Sequence, residues 1–297
     1  MTDPRGLCSA MPMRRACTGA LAALLAAAAF FVSAPGGSLD LVANAHAGDL
    51  DLYFHNFYDA DRKVTERTED KRYEQLMREV SLALGPRMSG PAASLGSLGI
   101  EASYELSMVD TNHDAAYWSL AADKPAASVQ TGTLRVRKGL PYGLQFGSVL
   151  THMFESNMWA IGAELNLSLV DGFVSIPDVA ARISTNTVLG NADLGMLIVG
   201  ADLVISKAFG VAGIASLQPW AAYSFTFTHV NTHQIDVYPN DKDIKPDLML
   251  LESVSAFAHR AAFGMRIVVT RVSIGGEFLR SFTDDLSIMT FKFGVDF

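Results

Sequence analysis

Three small groupings of polar side chains in this 297-residue chain have the residue types that chemistry needs. His229 and His233 share one face of an extended stretch with Asp236 close by, a donor set that could hold a divalent metal. Ser255 and His259 fall on one face of another alternating stretch, as the nucleophile and base of a hydrolase would, but no oxyanion donor or third member accompanies them. Asp284 and Asp285 supply carboxylates, and His113 and Asp114 an imidazole and an acid, without a spacing that says which group would activate water. Histidines and acids in solvated loops are the simpler account of the first and third groupings, and the second sits on a strand face turned toward lipid. No catalytic residue, cofactor site or metal site is assigned.

The elements that would carry these residues are far more regular than the residues themselves. From Gly96 onward apolar side chains recur at every second position, the period of a strand with one apolar face. Ten such segments can be read: 98–108, 130–138, 141–151, 157–170, 178–187, 193–206, 218–230, 254–269, 271–281 and 286–297. Several are much longer than the five or six residues usual for soluble strands and match a tilted bilayer crossing. One face carries Ile100, Tyr104, Leu134, Phe146, Ile161, Leu165, Leu203, Phe225, Phe263, Ile267 and Ile274 almost without charge. The opposite face carries Glu101, Glu105, Glu164, Asp202, Glu277 and Asp296 against Arg135, Arg137, Arg182, Arg260, Arg266 and Lys292. Six acids against six bases fit a cross-linked interior better than a charge-selective pore, which would show an excess of one sign. Gly143, Gly147, Gly162, Gly200, Gly264, Gly275 and Gly294 share that face and leave room for long side chains or for an inserted helix.

The last strand completes the pattern. Met289, Phe291, Phe293, Val295 and the terminal Phe297 point one way, and Thr290, Lys292, Gly294 and Asp296 the other. A closing strand of this kind resembles that of bacterial outer-membrane β-barrels, whose C-terminal signature is read by the barrel assembly machinery. The resemblance implies an all-β, closed antiparallel up-and-down transmembrane β-barrel, handled by periplasmic chaperones during biogenesis and surrounded by outer-membrane lipid. Ten strands are expected, with eight or twelve as alternatives. Connection lengths agree: with Phe297 at the periplasmic end, the long connections 109–129 and 231–253 fall outside and the tight ones at Gly139-Leu140 and Thr270 fall inside. Trp159, Tyr142, Trp220, Phe278 and Phe297 then lie near strand ends, as an interfacial aromatic girdle would.

Residues 1–47 read as a Sec-type signal peptide, with Arg14 and Arg15 ahead of an apolar run from Ala20 to Ala34 and cleavage near Ala45 or Ala47. Cys8 and Cys17 both fall in the removed part, so the mature chain has no thiol and neither disulfides nor Cys-ligated metals. A net charge of -8 argues against nucleic acid, which requires a basic patch, and none is visible in the sequence. Residues 48–95 form a separate periplasmic or lumen-plugging segment, expected to begin in the periplasm. Within it Tyr73, Leu76, Met77, Val80 and Leu84 mark an amphipathic helix that ends before Gly85-Pro86, with its charges on a solvated face. A competing reading takes 49–58 and 78–86 as two further strands. The functional expectation is a non-enzymatic structural, surface-exposed or narrow-pore protein of the outer membrane. An outer-membrane enzyme acting on lipid or peptide at the rim, and a soluble periplasmic β protein, are the alternatives.

Overall fold

The computed structural model describes residues 48–57, 70–88, 90–236 and 248–297. The expected signal segment and its cleavage positions lie outside them. The described residues form ten long strands: β1 (Ile100–Asp110), β2 (Ser128–Gly139), β3 (Leu144–Met153), β4 (Trp159–Val170), β5 (Asp178–Leu189), β6 (Leu194–Ser206), β7 (Ala215–Thr232), β8 (Val254–Val269), β9 (Val272–Ser281) and β10 (Ser287–Asp296). Each strand pairs antiparallel with its neighbours in sequence, and β10 returns to β1. That seam runs from Glu101 opposite Asp296 to Val109 opposite Ile288. Reciprocal backbone bonds between Ile100 and Phe297, at 3.0 and 2.8 Å, extend it to the last residue. The sheet is a closed barrel with no free edge, which is how a β-structure satisfies its backbone in lipid.

These are the ten strands expected from alternation, with ends moved by no more than three residues; eight and twelve are excluded. The twelve-strand reading fails because 78–84 belongs to a helix and His55–Phe57 to a single 3-10 turn. The side-chain phase also holds. Ile161, Leu203, Phe263 and Phe291 on the outer wall are each more than half exposed, whereas Glu101, Glu105, Arg135, Arg182 and Arg260 on the inner wall are almost fully buried. Exposure to water would make such an outer wall an aggregation surface; in lipid it is the required one.

The two barrel ends differ. One end has the tightest connection, at Thr270, which turns with a φ of 58°, and the turn at Tyr142 and Gly143, with φ of 63° and 74°, beside the longer connections 171–177 and 207–214. At the other end lie the two longest connections, 111–127 and 233–253, the first of which holds the short helix α2 (Ala116–Ala121), which periodicity did not reveal. Trp220 corrects the expected girdle. It is three residues from outward-facing Tyr223, so it points inward, and it is buried against Gly264, where a Cβ would stand 2.6 Å from the indole.

The amphipathic helix is present as α1 (Lys71–Leu84). Its N-cap Asp70 accepts the Arg72 backbone N–H at 2.8 Å. Tyr73, Leu76, Met77, Val80 and Leu84 are all buried, as their spacing predicts, but so is Glu79, which was expected on a solvated face.

Candidate functional site

The site is the barrel interior, which has two storeys. Near the long-loop end the inward positions are apolar: Val109, Val129, Met153, Val188, Ile198, Val230, Leu279 and Ile288 form one buried cluster with Leu76, Met77, Val80 and Leu84 of α1. Apolar helix face against apolar inner wall removes both from water, at about 25 cal/mol for each Å² buried. Nearer the tight-turn end many inward positions are charged, and the described residues between α1 and β1 pass among them.

The helix ends are closed by side chains. Gly85-Pro86 stops α1, and the orphan carbonyls that every helix C-terminus leaves are taken by two donors. Arg87, itself buried, donates to Leu82 O at 2.6 Å and Ala83 O at 2.8 Å, and Asn186 Nδ2 of β5 donates to Leu84 O at 2.8 Å. Below this level Arg182 donates to Met88 O, and Gly90 passes beside Arg137 and Lys292. The Ala92 N–H bonds Ser206 Oγ at 2.9 Å, while Ser168 Oγ donates to Ala92 O at 3.0 Å. Ser94 N then reaches Asp171 Oδ2 at 2.9 Å before β1 begins. Leu84, Met88, Ala92 and Ser94 are therefore each bonded to inward side chains or to one turn of the wall. Beside Gly90 a cavity lined by Trp220, Arg266, Glu277 and Lys292 encloses about 20 Å³, room for one water.

Eight of the twelve predicted interior charges form one cluster. Glu105 accepts Arg135 Nε at 2.9 Å; Glu164 pairs with both Arg135 and Arg137; Glu101 pairs with Lys292 and lies 3.6 Å from Arg266 and 4.0 Å from Arg137; Asp296 takes Arg266 at 2.6 Å. Glu164 reaches across from β4 because β3 has Gly147 between them, where a Cβ would be 2.7 Å from its Cγ. Arg182 and Asp202 stand opposite each other on β5 and β6, but the guanidinium turns to Met88 O. Arg260 donates to Ser224 Oγ at 3.0 Å, and Glu277 lines the small cavity.

At the long-loop end a second constellation ties α1 to the loop. The carboxylate of Glu79 accepts Tyr117 Oη at 2.6 Å, Trp118 Nε1 at 2.7 Å, Asn112 Nδ2 at 2.8 Å and the Asn112 N–H at 3.2 Å. Burial first, and then the bond to Glu79, push the Tyr117 hydroxyl well above the usual phenol range, so it stays a donor. Arg87 and Glu79 were both missed from sequence.

The three chemical groupings do not assemble. Ser255 is 2.9 Å from His229 Nδ1, not engaged with His259, whose Nδ1 is 3.3 Å from Tyr223 Oη. His233 Nδ1 bonds Ala192 O at 2.8 Å, and among the described residues no three His, Cys, Asp or Glu are placed to hold a metal. His113 pairs with Asp114, while Asp284 accepts Ser281 Oγ and Asp285 takes Arg280.

A closed ten-strand antiparallel wall, apolar outside and charged within, decides the architecture. The fold is that of a bacterial outer-membrane β-barrel. No known protein-family profile matches the sequence, and no curated protein is similar to it. Among solved structures the barrel is similar to Omp33 of Acinetobacter baumannii, at 11% identity over 67% of this chain and 98% of that one, with a TM-score of 0.30. The N-terminal β-barrel domain of Pseudomonas aeruginosa OprF gives 9%, 68%, 99% and 0.32, and Ail of Yersinia pestis 13%, 67%, 97% and 0.26.

Proposed function

We propose that the protein is a plugged, non-conducting barrel of the outer membrane, with a non-enzymatic structural and surface role. The observation that carries this reading is the bonding of Leu84, Met88, Ala92 and Ser94 to side chains of the wall, from Asn186 down to Asp171 in the β4–β5 connection. A solute path would need these backbone groups released, and each buried group left without a partner costs about 1–3 kcal/mol. The charge cluster supports the same reading, since paired acids and bases provide neither a free row of charge for ions nor a single-sign field. At the rim Ser255 Oγ lies 2.9 Å from His229 Nδ1 and Asn231 Nδ2 stands 3.1 Å from the Nε2 of the same ring, a contact that contains no carboxylate, and the surface role rests on the long loops with α2. Ion conductance of the intact barrel against one lacking residues 48–93 is the test.

A further inference from the structure

We infer that the chain enters its own barrel from outside: residues 48–57 lie at the extracellular face, and the chain then runs inward through the lumen to begin β1 at the periplasmic end. The expectation that this segment begins in the periplasm is thereby reversed. The inference rests on the barrel reading and goes beyond it.

The bonds of residues 48–57 to the strand connections carry the argument, for those that follow are all at the long-loop end, while Phe54 and Phe57 pack on Tyr73 of α1. Leu50 N donates to Glu155 O at 2.9 Å, and Asp51 Oδ1 accepts Asn157 N at 2.7 Å, both in the β3–β4 connection. Tyr53 N donates to Ala121 O of α2 at 2.8 Å, and Asn56 Nδ2 to Leu120 O at 2.9 Å. Asn191 Nδ2, in the β5–β6 connection, donates to Leu52 O at 3.0 Å. Asp49 holds Lys124 Nζ of the β1–β2 connection at 2.9 Å. Three separate loops thus grip this stretch, and Leu50, Leu52, Phe54 and Phe57 are buried under them. At the other end of the same segment, Ser94 bonds Asp171 in the β4–β5 turn, and Gly139, beside the β2–β3 turn, donates to Gly99 O at 2.9 Å. The two ends of residues 48–99 therefore lie at opposite faces of the barrel. Long loops face outward in such barrels and tight turns inward, so the earlier end is the one displayed. Together with α2 and the β3–β4 connection it makes one continuous outer cap.

Single cysteines report this directly, because the sequence has no cysteine beyond Cys17. Asp49→Cys and Asn56→Cys would be labelled with a membrane-impermeant maleimide on intact cells, beside Asp114→Cys at the long-loop end and Leu98→Cys and Tyr142→Cys at the tight-turn end, all exposed. Each variant is scored only in its heat-modifiable, folded gel band. Threading from outside predicts that Asp49→Cys and Asn56→Cys react on intact cells with Asp114→Cys, while Leu98→Cys and Tyr142→Cys react only after permeabilisation. Reaction of both N-terminal cysteines only after permeabilisation, with Asp114→Cys open, overturns the threading and leaves the barrel standing. Reaction of Leu98→Cys rather than Asp114→Cys on intact cells overturns outward display by inverting the barrel.

Discussion

The indole N–H of Trp118 in the long β1–β2 loop points at Glu79 on the plug helix, 2.7 Å from its carboxylate, and that carboxylate is also held by Tyr117 and Asn112. One buried acid thus fastens an outer loop to the helix that fills the upper lumen. Replacing it by leucine strands several donors, and we expect a loss on the order of 3 kcal/mol in loop–helix docking from buried groups left unsatisfied. Glu79→Leu should red-shift the fluorescence of Trp118 while the heat-modifiable folded band persists, since the wall itself is untouched. An unchanged emission spectrum would mean that the loop is held by something else.

Glu105 and Arg135 provide the equivalent test of the lower storey. Each is at most 1% exposed, and removing one partner leaves the other as a buried charge, a loss of about 3–5 kcal/mol. In a double-mutant cycle with Glu105→Gln and Arg135→Met, the double variant should recover part of that loss, giving a coupling of about 1 kcal/mol or more by unfolding in denaturant. Lys292 stands opposite Glu105 but its ammonium is 3.8 Å away and pairs with Glu101, so its coupling to Glu105 should be smaller. A coupling near zero for Arg135 would show that the acid and base are not engaged.

Phe297 and Asp296 are neighbours with different duties. Phe297 exchanges both backbone bonds with Ile100 at the closing seam and turns its ring outward, whereas Asp296 holds Arg266. Deleting Phe297 should impair assembly into the membrane much more than Asp296→Asn, because Arg266 still lies 3.6 Å from Glu101. The yield of heat-modifiable protein in outer-membrane fractions measures this, and equal yields would remove the terminal aromatic from the assembly signature.

The wall was readable because period two repeats along every strand, and a one-residue slip would turn each apolar side chain inward. The same phase already placed Trp220 inside, three residues from Tyr223, and Val109, Val129, Met153 and Val188 on the inner face; strand-end position and the search for charges hid both. The burial of Glu79 was not readable, since its donors come from a loop 33 to 39 residues later. Nor were the contacts of Met88, Ala92 and Ser94, whose backbone bonds to side chains on distant strands and in the β4–β5 connection, a relationship that leaves no periodicity. The direction of threading is fixed only by the contacts of residues 48–57.

Conductance of the purified, refolded protein in planar bilayers bears most directly on the central claim that the lumen is filled by the chain's own N-terminal segment. The account predicts no steady conductance for the intact protein and an open, ohmic pore once residues 48–93 are deleted, in a barrel that still shifts on heating. Steady conductance of the intact protein equal to that of the deletion variant would contradict it.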